Sequence, residues 1–412
     1  MPILPEIMAP AGSFDAISAA IQAGANSIYF GVGHLNMRAR SAINFETEDF
    51  TEIAQRLKKA GMKGYLTVNT VMYNHDLKSM RNIIDQAKAA GIDAVIAADV
   101  AVIQYAVDTG MPVHLSTQAN ISNIEALEWY SRYADVMVLA RELSLRQVRQ
   151  ISDAIQQRNI CGPSGKAVQL EIFAHGALCM AVSGKCYLSL HTYNASANRG
   201  ACMQNCRKPY VVSDKEDGFE FEVDNEYIMS AKDLCTIDIM PEMIDSGATV
   251  FKIEGRGRSP EYVYTTVTAY REAVEAVANG SFSPEKLATW KTNLATVYNR
   301  GFWEGYYMGR KLGEWADTGG SKATEKKVYL GKGVKYFNRI GVGEFLLEAQ
   351  ELKLNDRILV TGPSTGVHYA DVKEIRVDNK VVESAKRGLS ISIPLDVKIR
   401  PSDKLYKIVP IA

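Results

Sequence analysis

The chain lacks an excess of charge of either sign. Its 412 residues contain 47 Lys and Arg against 47 Asp and Glu. A balanced chain has no overall field that would draw it to nucleic acid or to an anionic membrane, so a polyanion must be bound by a local basic patch. Hydrophobic residues make up 47% and charged residues 23%, which is typical of a globular protein and excludes a disordered or fibrous one.

Long apolar runs and a basic leader are also missing. No run of 18 apolar residues occurs, and residues 1–12 carry the acidic Glu6 and three prolines where a signal peptide would be basic and apolar. These absences predict a cytoplasmic protein, in which thiols stay reduced. The six cysteines are therefore expected to serve a metal or catalysis before disulfides.

Short apolar, β-branched runs alternate with longer amphipathic stretches through the first two thirds of the chain. Eight such runs are predicted as strands: 6–9, 27–31, 64–69, 94–98, 113–117, 136–140, 169–173 and 249–253. A strand–helix alternation of this kind specifies a parallel sheet, and eight units close a (β/α)8 TIM barrel. The alternative is an open doubly wound sheet, but the stretch Ala-Pro-Ala-Gly-Ser at 9–13 matches its glycine-rich phosphate loop poorly.

One insertion interrupts the repeat, since about 75 residues separate the seventh predicted strand from the eighth. It forms a cysteine-rich loop, 175–235, on the face where such barrels place their active sites. We predict the barrel over 1–280, a helical extension and linker over 281–327, and a small C-terminal β-barrel domain over 328–412, where short alternating strands follow a polar segment.

Cysteines are concentrated in the insertion. Four of the six fall in a window of 28 residues: Cys179, Cys186, Cys202 and Cys206. Cys235 adds a fifth at the end of an extended segment, 227–234, predicted to fold back over the barrel mouth. Thiolates favour an iron–sulfur cluster or zinc, and the wide spacing of the first three differs from tight zinc knuckles. Zinc and unliganded core thiols remain alternatives.

Polar residues also stand at the ends of predicted strands, where barrel enzymes carry their chemistry. Lys252, Glu254, Arg256 and Arg258 lie at and beyond the end of the eighth strand. We predict catalytic roles for Lys252 and Glu254, which share one face of the strand, and anion binding for the two arginines. His175 ends the seventh strand and is predicted to be catalytic.

Further candidates are predicted to bind substrate or anions. They are Asn69, Asp99 and Gln118, near the ends of strands three to five, and Arg199 and Arg207, which flank cysteines and suit a cluster or a phosphate. His34, Arg38 and Arg40, after strand two, are placed to meet RNA phosphates. A solvated charged rim is the alternative for the arginines of the eighth strand and the cysteine loop, and a plain solvated loop is the alternative for His34, Arg38 and Arg40.

Motifs of known peptidases are absent or out of place. The sequence has no H-E-x-x-H pair, and its G-x-S-x-G stretch, 362–366, lies in the β-rich tail with strand-like residues after it. A nucleophile elbow needs a helix there. A thiol dyad of Cys179 and His175 would lack a third, orienting group. The residues themselves therefore do not predict proteolysis.

Several stretches together closely resemble the collagenase-like peptidase family U32. They are Glu-Ile-Phe-Ala-His-Gly-Ala-Leu-Cys at 171–179, Ser-Gly-Lys-Cys at 183–186, Asn-Arg-Gly-Ala-Cys-Met-Gln-Asn-Cys-Arg at 198–207, Ser-Ala-Lys-Asp-Leu-Cys at 230–235, Phe-Lys-Ile-Glu-Gly-Arg at 251–256 and Met-Ala-Pro-Ala-Gly at 8–12. The resemblance covers nearly the whole chain. Better understood members of the family hydroxylate, without oxygen, the wobble uridine of transfer RNA, ribosomal RNA or the ubiquinone ring.

The resemblance implies an RNA hydroxylase with a [4Fe–4S] cluster and prephenate as co-substrate, acting on transfer RNA first and ribosomal RNA next. Cys179, Cys186 and Cys202 match cluster ligands, and the fourth is Cys206 or Cys235, with Cys206 favoured because the tRNA-modifying pattern keeps it. A collagenase-like peptidase, a hydroxylase of a quinone precursor and a noncatalytic RNA-binding protein remain alternatives. The electron donor and the oligomeric state are left open.

Overall fold

Eight parallel strands close into a ring that forms the N-terminal part of the molecule. The computed structural model describes residues 4–40, 42–213, 215–216, 220–221, 229–310 and 313–411. The strands of the ring are β1 (Glu6–Pro10), β2 (Ser27–Gly31), β3 (Lys63–Val68), β4 (Ala94–Ala97), β5 (Val113–Leu115), β6 (Val136–Val138), β7 (Gln169–Gly176) and β11 (Val250–Ile253). The last strand pairs in parallel with both β1 and β7. The predicted TIM barrel is confirmed and the open sheet is excluded.

Helices cover the outside of the ring and follow the predicted amphipathic stretches. They are α1 (Phe14–Gln22), α2 (Phe50–Ala60), α3 (Leu77–Ala90), α4 (Val100–Thr109), α5 (Ile124–Tyr130), α6 (Leu145–Arg158), α8 (Met240–Asp245) and α9 (Pro260–Ala278). In α3 the buried positions Met80, Ile83, Ile84 and Ala87 recur at helical spacing, which places one apolar stripe against the barrel. Among the described helices, none is both long and apolar enough to cross a membrane.

The insertion between β7 and β11 begins as a loop with little regular structure. It contains α7 (Leu188–Tyr193), the two-residue strands β8 (Val212–Ser213) and β9 (Glu220–Phe221), and β10 (Asp233–Cys235). The first two residues of the predicted extended segment 227–234 lie outside the described residues. Its end, in β10, pairs antiparallel with β7. This end therefore extends the barrel wall. The sequence had predicted that it folds over the barrel mouth, and that prediction is wrong for the described part of the segment.

A second unit follows α10 (Pro284–Thr296) and the short strand β12 (Phe302–Trp303). Its strands are β13 (Glu325–Phe337), β14 (Val342–Leu347), β15 (Leu352–Lys353), β16 (Arg357–Gly362), β17 (Gly366–Asp371), β18 (Ile375–Val377), β19 (Lys380–Val382), β20 (Ser384–Ala385), β21 (Ser390–Pro394) and β22 (Lys404–Pro410). Eight of them form an antiparallel sheet in the order β17-β16-β22-β13-β14-β21-β18-β19. Phe345, Leu347 and Ile391 belong to its own core. The predicted small C-terminal β-barrel domain is confirmed as a separate β domain, and its strands form this antiparallel sheet.

The G-x-S-x-G stretch forms the turn between β16 and β17, and this turn packs on α1. The side chain of Gln22 donates to the Thr365 carbonyl (2.8 Å) and accepts from the Val367 amide (2.8 Å), while Ser18 donates to the Pro363 carbonyl (2.6 Å). Gly366 has a φ of +69° and lies against Gln22, where a Cβ would collide with the amide. The motif is explained by contact between the two units and not by catalysis.

Candidate active site at the barrel mouth

A cavity of about 410 Å³ opens at the carboxyl ends of the barrel strands. Residues from most of the strand-to-helix loops line it, among them Arg38 after β2, Asn69 after β3, Gln118 after β5 and Arg141 after β6. Asn69 donates to Gln118 (3.2 Å), so these two predicted substrate contacts form one polar edge. The cavity therefore lies where the (β/α)8 architecture predicts an active site.

Four cysteines of the insertion line one side of this cavity: Cys179, Cys186, Cys202 and Cys206. Burial raises the pKa of the Cys206 thiol, Arg207 opposes that shift, and the three other thiols of the cavity raise it further. Arg207 donates to the Leu178 carbonyl (2.6 Å) and to Ser230 (3.0 Å), which holds the two ends of the loop together. The structure thus gathers four of the five candidate thiols.

Cys235 lies apart from that group. Its side chain is buried in the barrel wall, with its sulfur 3.8 Å from the Tyr270 hydroxyl, and burial raises its pKa to about 11. It does not line the cavity. The sequence left Cys235 as an alternative to Cys206, and the position of Cys235 in the wall, outside the cavity that the other four thiols line, favours Cys206.

Glu254 is held as a carboxylate in the cavity. Arg38 forms an ion pair with it (2.6 Å) and the Tyr29 hydroxyl donates to it (3.0 Å). Burial by itself would raise the pKa of Glu254, but Arg38, Arg141 and Arg256 outweigh burial and lower it to about 2. The predicted catalytic Glu254 is therefore a weak base, suited to orienting groups more than to accepting a proton.

Lys252 reaches the floor of the cavity. Its ammonium lies 2.7 Å from a Glu171 oxygen and 4.4 Å from the centre of the Tyr29 ring. Burial raises the pKa of Glu171 and Lys252 opposes that shift. Lys252 and Glu254 both line the cavity, as alternate positions of one strand should. The charge of Lys252 is already matched by Glu171.

The side chain of Arg256 is hydrogen-bonded to other residues of the barrel. Its guanidinium is buried and donates to Thr67 (3.0 Å) and Asn36 (2.9 Å), and burial lowers its pKa to about 10. A side chain at Gly31 would collide with the guanidinium, so the glycine provides its space. Arg256, which was predicted to bind an anion, thus lines the cavity, but both terminal nitrogens of its guanidinium are already hydrogen-bonded to the protein.

Arg258 and Arg141 retain donors for a ligand. Arg258 lies 3.6 Å over the Tyr298 ring and has no hydrogen-bond acceptor among the described residues. Arg141 lies 3.8 Å over the Phe173 ring and donates to the Ala177 carbonyl (3.1 Å), but its buried Nε has no partner in the described part of the chain. These two arginines are the cations best placed to bind an added anion.

Positive charge predominates around the cavity. Among the described lining residues, one carboxylate, Glu254, faces seven cationic side chains: Arg38, Arg141, Arg207, Lys252, Arg256, Arg258 and Arg300. Arg300 is paired with Asp233 (3.2 Å) behind the lining. Even when these ion pairs are counted, the cavity keeps an excess of positive charge. It therefore favours anionic ligands over neutral ones.

Three further predicted site residues, His175, Asp99 and Arg199, lie outside the cavity. His175 is buried with its Nδ1 3.3 Å from the Tyr270 hydroxyl, on the side of the wall that faces α9. Asp99 caps α4 by accepting from the Ala101 amide (2.9 Å). Arg199 pairs with Asp76 (2.7 Å) and so joins the cysteine loop to the loop after β3. These are structural contacts.

Some lining residues were not selected from the sequence. Arg141 directly follows the sixth predicted strand, so the rule that selected residues at strand ends would have found it. Tyr29 lies inside β2 and faces the barrel interior. Tyr298 and Arg300 come from the segment after α10, which no strand-end argument reaches.

Two buried histidines should make the protein acid-sensitive. Burial lowers the pKa of His114 and of His175 to about 3 from a usual value of 6.5. Below pH 6.5 the unfolded chain binds protons that the folded chain does not, so the free energy of unfolding should fall as pH falls towards 3. Between pH 7 and pH 5 we expect a loss of roughly 4 kcal/mol for the pair.

Urea unfolding at the two pH values measures this loss. The His114→Gln variant should show a smaller pH dependence, whereas His191→Gln, a change at an exposed histidine, should behave like the wild type. An unchanged pH dependence in His114→Gln would mean that this residue does not stay neutral.

Comparison with known proteins assigns the chain to relatives of two kinds. The sequence model of a family described as Peptidase family U32 matches residues 12–317. A Porphyromonas gingivalis protein named a collagenase is 58% identical over 402 residues, which cover 98% of this chain and 97% of the relative. A Bacillus subtilis tRNA hydroxylation protein is 31% identical over 98% of this chain and 94% of its own length. An Escherichia coli 23S rRNA 5-hydroxycytidine synthase is 32% identical over 66% of this chain and 39% of the relative.

Proposed function

The chain belongs to peptidase family U32, and from that premise we propose that it is an RNA hydroxylase that uses a [4Fe–4S] cluster and a prephenate-like anionic donor. One observation carries the proposal: four cysteine thiols and seven cationic side chains line the same cavity at the barrel mouth. Relatives named for hydroxylation of transfer RNA and ribosomal RNA support the reaction and the substrate. Transfer RNA is placed first because the relative named for it aligns with 98% of the chain.

The thiol group suits a cluster better than a single metal ion. Within the described part of the chain, no three His, Cys, Asp or Glu side chains are close enough together to hold one ion. The thiolates of a cubane cluster bind separate irons, so they stand farther apart than the ligands of a zinc ion. Cys179, Cys186, Cys202 and Cys206 would hold the cluster, with the guanidinium of Arg207 offsetting part of the thiolate charge.

The reaction sets three requirements for the chain. Replacing a ring C–H of a base by C–OH oxidises the base by two electrons, so a donor that gives up its hydroxyl oxygen must be reduced by two electrons in turn, and a [4Fe–4S] cluster would supply one-electron transfer when bound. The side chains must also bind the anionic donor and keep bulk water from the reacting atoms. Arg258 and Arg141 have free donors for carboxylates. Asn69 and Gln118, on the opposite edge, provide amides that suit the edge of a pyrimidine.

Proteolysis is the second candidate, because the relative named a collagenase is 58% identical to this chain. The cavity offers little for peptide hydrolysis. Its described lining residues include no histidine or aspartate, and their one carboxylate, Glu254, has a pKa of about 2. A nucleophilic thiol would need a general base within hydrogen-bond reach. Hydroxylation is therefore the better-supported function.

Nucleoside analysis tests the function directly. We expect RNA from a deletion strain to lose one hydroxylated pyrimidine from its transfer RNA. Wild-type protein supplied in trans should restore the nucleoside, and a Cys202→Ser variant should not. An unchanged nucleoside profile in every RNA class, together with cleavage of collagen by the purified protein, would instead establish the peptidase.

A further inference from the structure

Three exposed tyrosines lie on the cysteine loop and on the loop after β3 that is bound to it. We define the tyrosine rim as Tyr73, Tyr187 and Tyr193, which are 52%, 69% and 45% exposed. Tyr187 stands between Cys186 and Leu188, both of which line the cavity, and Tyr193 ends α7. The loop that carries Tyr73 is tied to the cysteine loop by a hydrogen bond from the Val71 amide to the Asn198 carbonyl (3.2 Å). All three rings are therefore carried by the cysteine loop or by the loop that is hydrogen-bonded to it.

Cations accompany two of the three rings. The guanidinium of Arg199 lies 3.9 Å from the centre of the Tyr73 ring, and the ammonium of Lys208 lies 4.9 Å from that of Tyr193. Each cation covers part of a ring whose remaining surface is open to solvent. The charge of Arg199 is already paired with Asp76 (2.7 Å), whereas a base stacked on Tyr193 would bring its phosphate near Lys208.

The charge of this surface differs from that of the whole chain. Residues 172–213 contain Lys185, Arg199, Arg207 and Lys208 and no Asp or Glu, although the chain as a whole is neutral. The loop after β2 adds an exposed Arg40, whose amide donates to the Gly200 carbonyl (3.2 Å). The local excess makes the rim complementary to a polyanion.

We infer that the tyrosine rim binds an unpaired RNA loop by stacking, and that it directs one unstacked base into the cavity. The inference rests on the proposed RNA hydroxylation and adds to it where the RNA binds and which form of RNA is recognised. Separate rings on an irregular surface suit splayed bases, whereas a paired helix keeps its bases stacked within itself and shows only its backbone and groove edges. Unpaired RNA should therefore bind more tightly than a duplex.

Binding to two RNAs tests this inference without any turnover. The probes are a fluorescent hairpin with an unpaired, pyrimidine-containing loop and a blunt duplex of equal length, titrated against anaerobically purified protein at fixed salt. Wild-type protein should prefer the hairpin. Tyr187→Ala and Tyr193→Ala should each weaken hairpin binding about 5- to 150-fold, the range for loss of one base–aromatic stack.

Matched variants separate stacking from other causes. Tyr187→Phe keeps the ring and should keep the affinity. Trp129→Ala removes another exposed aromatic ring (46% exposed), which lies in α5 on the outside of the barrel, and should change nothing. Lys185→Gln should reduce the slope of log affinity against log salt by about 0.7, the contribution of one contact with a single-stranded phosphate.

Equal binding of hairpin and duplex, or wild-type affinity in both tyrosine-to-alanine variants, would overturn the inference. So would loss of affinity in those variants for a triple-helical collagen-like peptide with no loss for RNA. The outcome is independent of the nucleoside test: hydroxylation with normal RNA binding by the variants would refute the rim alone, and rim-dependent binding with no hydroxylated nucleoside would refute the enzymatic function alone.

Discussion

Replacement of Cys206 by serine is expected to abolish cluster binding, whereas replacement of Cys235 should leave the cluster in place. Wild-type protein purified without oxygen should be brown, with about four irons per chain and a broad absorbance near roughly 400 nm. Cys206 lines the cavity with the other three thiols, while Cys235 is buried beside Tyr270 in the barrel wall. Loss of one thiolate leaves one iron without its protein ligand, so iron content should fall to near zero in Cys206→Ser.

Iron analysis and absorbance spectra of four variants measure this difference. Cys179→Ser should resemble Cys206→Ser. Cys161→Ser, which changes an exposed cysteine of the segment between α6 and β7, should keep the full iron content, as should Cys235→Ala. Iron loss in Cys235→Ala, with a circular dichroism spectrum like that of the wild type, would contradict the four-thiol assignment. Stoichiometric zinc without iron after anaerobic reconstitution would refute the cluster itself.

Removal of Arg258 or Arg141 is expected to weaken binding of a prephenate-like donor by roughly 2–5 kcal/mol, about thirtyfold or more. Both guanidiniums line the cavity, and a dicarboxylate left without one of them keeps an unpaired charge in a partly desolvated site. Arg258→Lys should recover only part of the loss, because an ammonium lacks the planar fork of a guanidinium. Isothermal calorimetry with prephenate measures these affinities.

Two further variants serve as comparisons in that experiment. Arg149→Ala removes an arginine that pairs with Asp153 on the exposed face of α6, and it should bind the donor normally. Arg256→Ala should mainly destabilise the fold, because that guanidinium is engaged by Thr67 and Asn36. Equal donor affinities in Arg258→Ala, Arg141→Ala and the wild type would place the donor elsewhere.

The barrel could be predicted from the sequence because its signal repeats. Each strand is a short apolar run and each helix an amphipathic stretch, and eight repetitions leave few alternatives. Lys252, Glu254 and Arg256 line the cavity because the eighth strand ends there, as the barrel architecture predicts.

His175 shows where that regularity ends. Phe173 pairs with Lys252 and His175 with Ile253, so two residues of β7 advance against one of β11. Such a bulge shifts the alternation by one residue. Phe173 faces the cavity, and His175, which a regular strand would point the same way, turns outward towards Tyr270. A bulge depends on the pairing of two distant segments, which one sequence does not reveal.

The turn at 362–366 ties the end of the chain to its beginning. Gln22 lies 343 residues before Thr365, the residue whose carbonyl it contacts. During synthesis α1 therefore leaves the ribosome long before its partner exists, and its polar face must stay in water until the tail has folded. A contact of such long sequence separation forms late and adds little to the folding rate. The contact should instead stabilise the folded barrel against unfolding. A protease cut in the C-terminal domain would remove this stabilising contact from α1, the first helix of the barrel.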